Sequence, residues 1–187
     1  MAPAAQTRAT LDDLMRVEGK AELIGGRIVP FPPEGYKPSR LAGHIVYSLL
    51  NYAEQTRRGE VFTSTIAFGV PELPSGRESF SPDASYYLGP PPSDPMSFIE
   101  GPPTLAVEVR GEDDYGAAAE AAMAAKRADY FAAGTAVVWD VDTLAELINV
   151  YRADTPEPDA TYAPGQVAEA EPAVPGWRPS VDALLDE

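Results

Sequence analysis

The sequence predicts a mixed α/β fold in which a β-sheet is covered by at least two helices. Three observations carry this expectation. The stretch from Ser39 to Arg58 places Leu41, Ile45, Leu49 and Tyr52 at helical spacing, which gives one long helix with a core-facing stripe. A second, alanine-rich stretch runs from about Asp114 to Ala133 and stops at Gly134, a residue suited to the position just past a helix. Between the two, "LAVEV" alternates as a strand does, with Leu105, Val107 and Val109 on one face and Ala106, Glu108 and Arg110 on the other.

The remaining elements follow in order. Thr10 and Asp13 form a capping-box pattern that opens a short helix through Val17. "AELIGGRIVPF" reads as a hairpin turning at Gly25-Gly26, and "PPEGYKPS" as a loop. "VFTSTIAFGV" is expected as one strand, "FSPDASYYL" as another that starts after its proline, and the Pro- and Gly-rich "GPPPSDPMSFIEGPP" as a loop. "AVVWDV" and "LINVYR" flank "DTLAE" as a late hairpin. The acidic tail "ADTPEPDATYAPGQVAEAEPAVPG" is expected to be loop or a weak edge strand, and "SVDALLDE" a closing short helix.

Composition narrows the function classes. A length of 187 residues suits one domain spanning 1–187. No apolar run approaches the ~18 residues that cross a bilayer. "MAPAAQTRATLDDL" lacks a basic-then-apolar signal pattern, so a cytoplasmic protein is expected, away from membranes. With no cysteine and a single histidine, thiol chemistry and an imidazole-built zinc site are excluded. The net charge of −15 is uneven: residues 1–110 hold ten Lys/Arg against thirteen Asp/Glu, residues 111–187 four against sixteen. Such a chain repels a phosphate backbone at long range, so a polyanion would approach the first half.

Several polar residues stand where core is expected. Glu108 interrupts a buried-looking strand beside the small Ala106. Lys126 projects from a stripe of Ala119, Ala122, Met123, Tyr130 and Ala133 that should face the sheet, while Arg127 and Glu120 fall on a more polar side. The plain alternative for Lys126 is a surface pair with Asp129 at i+3. Asp83 in "SPDAS" reads on its own as a turn or strand-start aspartate, and Glu22 as a strand-edge acid. His44 lies on a polar stripe of the long helix with Tyr47, Ser48 and Asn51.

The order of these pieces resembles the Uma-type restriction endonuclease family, a branch of the PD-(D/E)-x-K nuclease superfamily. The matching stretches are "AELIGGRIVPFPP", "GHIVYSLL", "SPDASYY", "LAVEV", "KRADYFAAG", "AVVWDVD…INVYR" and "PGWRPSVDALLD", which cover nearly the whole chain. The resemblance implies a restriction-endonuclease-like core, a mixed twisted β-sheet flanked by α-helices. It implies Asp83 and Glu108 as the metal-binding acids, and Lys126 as the catalytic lysine moved from the strand to the following helix. Glu22 and His44 would be accessory residues lining the same cleft. The chain departs from the family after its strand glutamate, reading "EVRGEDD" where "EV-x-S" is frequent. Arg110 occupies the position at which the wider superfamily keeps its lysine and would be a third accessory residue.

The implied activity is Mg²⁺- or Mn²⁺-dependent hydrolysis of DNA by an endonuclease, leaving 5′-phosphate and 3′-hydroxyl ends, with a homodimer addressing two strands. Mg²⁺ takes oxygen ligands from one or two carboxylates, waters and the phosphate itself. Asp83 and Glu108 would supply the carboxylates and the Val109 carbonyl a third protein ligand, with room left by Ala106. Two other readings keep the same fold: an inert interaction module, favoured by the acidic charge, and a metal-dependent hydrolase of a small phosphoester.

Overall fold

The computed structural model describes residues 8–185. The "MAPAAQT" stretch and the last two residues of the expected closing helix lie outside them. Helix α1 (Leu11–Leu14) is opened by the reciprocal Thr10–Asp13 capping box and ends sooner than Val17. Strands β1 (Ala21–Ile24) and β2 (Arg27–Pro30) form the expected antiparallel hairpin. Both turn residues, Gly25 and Gly26, have positive φ (59° and 68°), which a side chain would oppose.

Helix α2 (Tyr36–Thr56) begins inside the segment expected as loop, with Pro38 in its first turn. Proline loses nothing there, because first-turn N–H groups have no intrahelical partner. "VFTSTIAFGV" divides into β3 (Glu60–Thr63) and β4 (Phe68–Gly69), which belong to different sheets. In "FSPDASYYL" the strand expected after the proline is β6 (Ala84–Tyr87), while Phe80 before it ends a separate short strand, β5 (Ser79–Phe80). The chain changes sheets at Pro82-Asp83, where proline cannot donate a ladder hydrogen bond. Strand β7 (Ile99–Glu100) precedes β8 (Leu105–Val109). Helix α3 (Ala117–Ala133) follows, then β9 (Val137–Asp142), β10 (Leu147–Tyr151), β11 (Ala160–Tyr162) and α4 (Val181–Leu185). Asp114 lies outside α3 because its carboxylate accepts from the Gly111 amide at 2.7 Å.

The main sheet has six strands in the order β11-β10-β9-β8-β6-β3. Only β8 and β9 are parallel, and α3 is the crossover between them. A three-stranded sheet, β5-β4-β7, and the β1-β2 hairpin complete the strands among the described residues. The result is the expected mixed sheet with helices.

The two faces of β8 enter different cores. Leu105, Val107 and Val109 pack with Leu41, Ile45 and Leu49 of α2 and with Trp139 of β9. Ala106 packs in a second cluster with Phe68, Phe80, Val138 and with Tyr130 of α3. Ala106, expected to leave room for an ion beside Glu108, is thus in contact with core side chains. The tail supplies the edge strand β11 and also core: Ala168, Ala170 and Val174 are buried in the first cluster, as is Trp177 just past the tail, which stacks on Trp139 at 4.8 Å. Among the described residues no helix is long and apolar enough to cross a membrane.

Candidate active site

Three chain segments meet over the Ala106 face of the sheet. The hairpin contributes Lys20 and Glu22, the crossing between sheets contributes Arg77 and Asp83, and β8 with α3 contributes Glu108, Lys126, Asp129 and Tyr130. Asp83 is held where the chain leaves the small sheet: its amide donates to the Val107 carbonyl (2.9 Å), and its Oδ2 accepts from the Val109 amide (2.7 Å). The edge of β8 thus fixes one metal-ligand candidate directly beside the other, Glu108. Its second oxygen, Oδ1, is ion-paired to Lys20. Burial pushes the Asp83 carboxyl up to about 6, with Lys20 working against the rise and neighbouring Glu34 adding to it.

Lys126 does face the sheet. Its Nζ lies 2.8 Å from Glu108 Oε1 and 3.0 Å from Glu22 Oε1. Asp129, the alternative partner for Lys126, pairs instead with Arg77 at 2.9 Å. Although burial disfavours the ammonium, Glu108 and Glu22 raise the Lys126 pKa above its usual value, so the lysine stays charged at neutral pH. Glu108 also accepts from the Tyr130 hydroxyl at 2.6 Å. Its pKa is raised by burial and by the charges of Asp83 and Glu22, against the pull of Lys126 and Lys20.

Glu22 differs from Glu108. Its side chain is 0% exposed, against 16% for Glu108. It ion-pairs Arg77 and accepts from the Ser81 amide at 3.0 Å. Burial pushes its pKa up, but Lys126, Arg77 and Ser81 outweigh this and hold it below the ordinary value. Glu22 therefore orients Lys126 from behind, whereas Glu108 keeps contact with solvent.

Two expected accessory residues are engaged away from the Glu108 cluster. His44 lies on α2, which covers the opposite face of the sheet, and its Nδ1 is 3.1 Å from the Leu184 carbonyl. It borders a cavity of about 280 Å³ with Tyr36, Arg40 and Leu184, not the Glu108 cluster. A period of 3.6 shows which helix face is polar, but not which side of the sheet the helix occupies. Arg110 shares the Glu108 face, but its guanidinium clasps buried Asp140 (2.7 and 2.8 Å) and pairs with Glu120. Arg127, expected on the polar side of α3, is buried too, 3.2 Å from Asp140 and over the Tyr151 ring at 4.1 Å. Asp140 is the register partner of Glu108, so two charged clusters lie side by side across β8 and β9.

Lys20, Glu34, Arg77 and Tyr130 were not singled out as site residues. Lys20 alternates with Glu22, which places both on one side of an extended chain, a usable signal. Arg77, in the turn "PSGRESF", carries none.

Around Asp83 and Glu108, the cations Lys20, Arg77 and Lys126 face the carboxylates of Glu22, Glu34, Asp83, Glu108 and Asp129. Carboxylates are in excess, and their oxygens are the hard donors that Mg²⁺ selects. Among the described residues, no three His, Asp or Glu side chains are gathered as a metal cage. A cation there would draw most of its ligands from water and substrate, with Asp83, Glu108 and the Val109 carbonyl as candidate protein contacts.

Residues 9–184 match Uma2, a family described as "Putative restriction endonuclease". The chain belongs to the Uma2 family. A solved structure from Anabaena variabilis ATCC 29413, described as "a putative nuclease belonging to DUF820", shares the fold with a TM-score of 0.67 and 18% sequence identity, over 94% of this chain and 97% of that one. A search of curated proteins returns no match. The Uma2 match includes every residue of the Asp83–Glu108–Lys126 cluster.

Proposed function

We propose that this Uma2 chain is a cytoplasmic, single-domain DNA endonuclease that hydrolyses phosphodiester bonds with Mg²⁺ or Mn²⁺ and works as a homodimer. The observation that carries the reading is the junction of Glu108, Lys126 and Asp83: the lysine 2.8 Å from Glu108, the aspartate fastened to the next amide of the same strand at 2.7 Å. When bound, the divalent ion would polarise the phosphate and lower the pKa of a coordinated water.

The protein's own groups supply the rest. Asp83 and Glu108 would hold the ion, with the Val109 carbonyl beside them. Strand β8 is a rigid mount, so both acids keep their places as substrate enters. Lys126 is charged and cannot take a proton, so its role is to stabilise negative charge growing on the phosphoryl oxygens. Glu22 and Tyr130 act as positioning residues, the first on Lys126 and the second on Glu108. Arg110 is committed to Asp140, which favours Lys126 as the cation of the site.

A second reading, hydrolysis of a small phosphoester, is favoured by the net charge of −15, which hinders approach to DNA more than to a small anion. Plasmid DNA and bis(p-nitrophenyl) phosphate, each offered with Mg²⁺, separate the two. Cleavage of the plasmid supports the nuclease, and turnover of the small ester alone supports the second reading. Calorimetry with Mn²⁺ tests the ligands: Glu108→Gln should bind at least tenfold more weakly than wild type. Absence of Mn²⁺ binding and of turnover on both substrates would leave the inert interaction module.

A further inference from the structure

The hairpin brings into the site a cation that the Asp–Glu–Lys set does not include. Lys20 forms a direct ion pair with Asp83 Oδ1 and has 15% of its side chain exposed. Its ammonium lies 5.4 Å from the centre of the Phe31 ring, and Lys126 approaches the same ring at 5.4 Å. The other Asp83 oxygen is taken by the Val109 amide. Both oxygens of Asp83 are therefore satisfied, one of them by a positive charge standing where a metal ion would act. A second carboxylate is within reach of the lysine: Glu34 Oε1 is 3.6 Å from Lys20 Nζ. Glu34 belongs to the exposed segment after Pro32-Pro33.

Resting on the metal-site reading above, we propose that Lys20 is an internal competitor for the divalent ion at Asp83, and that Glu34 receives its ammonium when the ion binds. An ammonium and a divalent cation on one carboxylate oxygen repel each other at close range, where little water screens them. The lysine keeps buried Asp83 paired in the metal-free protein, as a buried carboxylate requires. Displaced, it would need another acid nearby, and Glu34 is that acid. Lys20 thus sets how tightly the site takes its ion, acting through Asp83 as a positioning residue.

Calorimetric titration with Mn²⁺ at pH 8 tests this on the full chain. Lys20→Met should bind Mn²⁺ at least tenfold more tightly than wild type. Glu34→Gln should bind several-fold more weakly, and that effect should vanish when Lys20→Met is present. Unchanged or weaker binding by Lys20→Met, with wild type binding normally, overturns the competitor role and leaves the metal site standing. Equal weakening by Glu34→Gln in both backgrounds overturns the transfer to Glu34, which would then be a ligand itself. Absence of binding in wild type and variant alike overturns the metal-site reading and this inference together. If circular dichroism shows Lys20→Met unfolded, Lys20→Gln carries the same expectation, since it keeps a hydrogen bond to Asp83 without the charge.

Discussion

Lys126 Nζ joins Glu22 at 3.0 Å to Glu108 at 2.8 Å, so a single ammonium ties the β1-β2 hairpin to the central strand. An exposed helical pair contributes only ~0.3–0.5 kcal/mol. Breaking a buried pair costs far more, because the partner charge is left unpaired, typically ~3–5 kcal/mol. Lys126→Met should accordingly lower unfolding stability in urea by several kcal/mol. The double variant Lys126→Met/Glu22→Gln should recover part of that loss. A cost below ~0.5 kcal/mol for the single change would place Lys126 at the surface.

Arg110 should act in the fold rather than in the reaction. Asp140 is 0% exposed and is clasped by Arg110 and touched by Arg127. Arg110→Met should destabilise the protein by ~3–5 kcal/mol while leaving Mn²⁺ affinity unchanged in calorimetry. A variant that is fully stable but has lost divalent-ion binding or turnover would return the site cation to the strand position.

Asp83 gives a pH dependence with a definite sign. Its folded pKa of about 6 lies above the ordinary aspartate value near 3.9. The folded state therefore holds this proton more tightly than the unfolded state. Its contribution to stability is full below about pH 4 and is lost as pH rises through about 6. Asp83→Asn, which cannot titrate, should gain about 1 kcal/mol relative to wild type between pH 5 and pH 8 in the metal-free protein. Urea melts at the two pH values check this, and a difference of opposite sign would mean that Lys20 holds the carboxyl below its ordinary value.

The tail should matter to the core. Trp177 is buried and stacks on Trp139, and its indole N–H donates to Ser48 of α2 at 3.1 Å. Trp177→Ala should cost about 3–5 kcal/mol, the usual range for emptying a large aromatic site. Thermal unfolding followed by circular dichroism measures it, and an unchanged midpoint would show that the tail is not part of the folded unit.

Much of the fold was legible because it is written locally. The Leu41–Ile45–Leu49 stripe, the alternation of "LAVEV" and the paired glycines of the hairpin each state one element within a few residues. What failed was non-local. "VFTSTIAFGV" carries one continuous strand pattern, yet its two parts, β3 and β4, pair in different sheets, and nothing inside the segment says where either partner lies. Arg127 looked like surface because its partner Asp140 is thirteen residues away, on strand β9. The cluster of Glu22, Asp83, Glu108 and Lys126 came from the order of short motifs, and the structure brings all four together. Lys20 and Arg77 come from the hairpin's entry and a turn, where charged residues ordinarily mean only solvent. His44 was drawn in by the same order of motifs and lies across the sheet.

The central claim is that Glu108 helps bind the ion through which phosphodiester bonds are cut. Glu108→Gln removes that charge and can still accept from Lys126 and Tyr130, so it tests the chemistry with little disturbance of the fold. The decisive measurement is Mg²⁺-dependent nicking of supercoiled plasmid by wild type and Glu108→Gln prepared side by side, each with an EDTA control. The account predicts nicking by wild type that EDTA abolishes, and a rate lower by ~10²–10³-fold in the variant, the loss typical for one electrostatic contributor. No nicking by wild type, or equal nicking by Glu108→Gln, would contradict it.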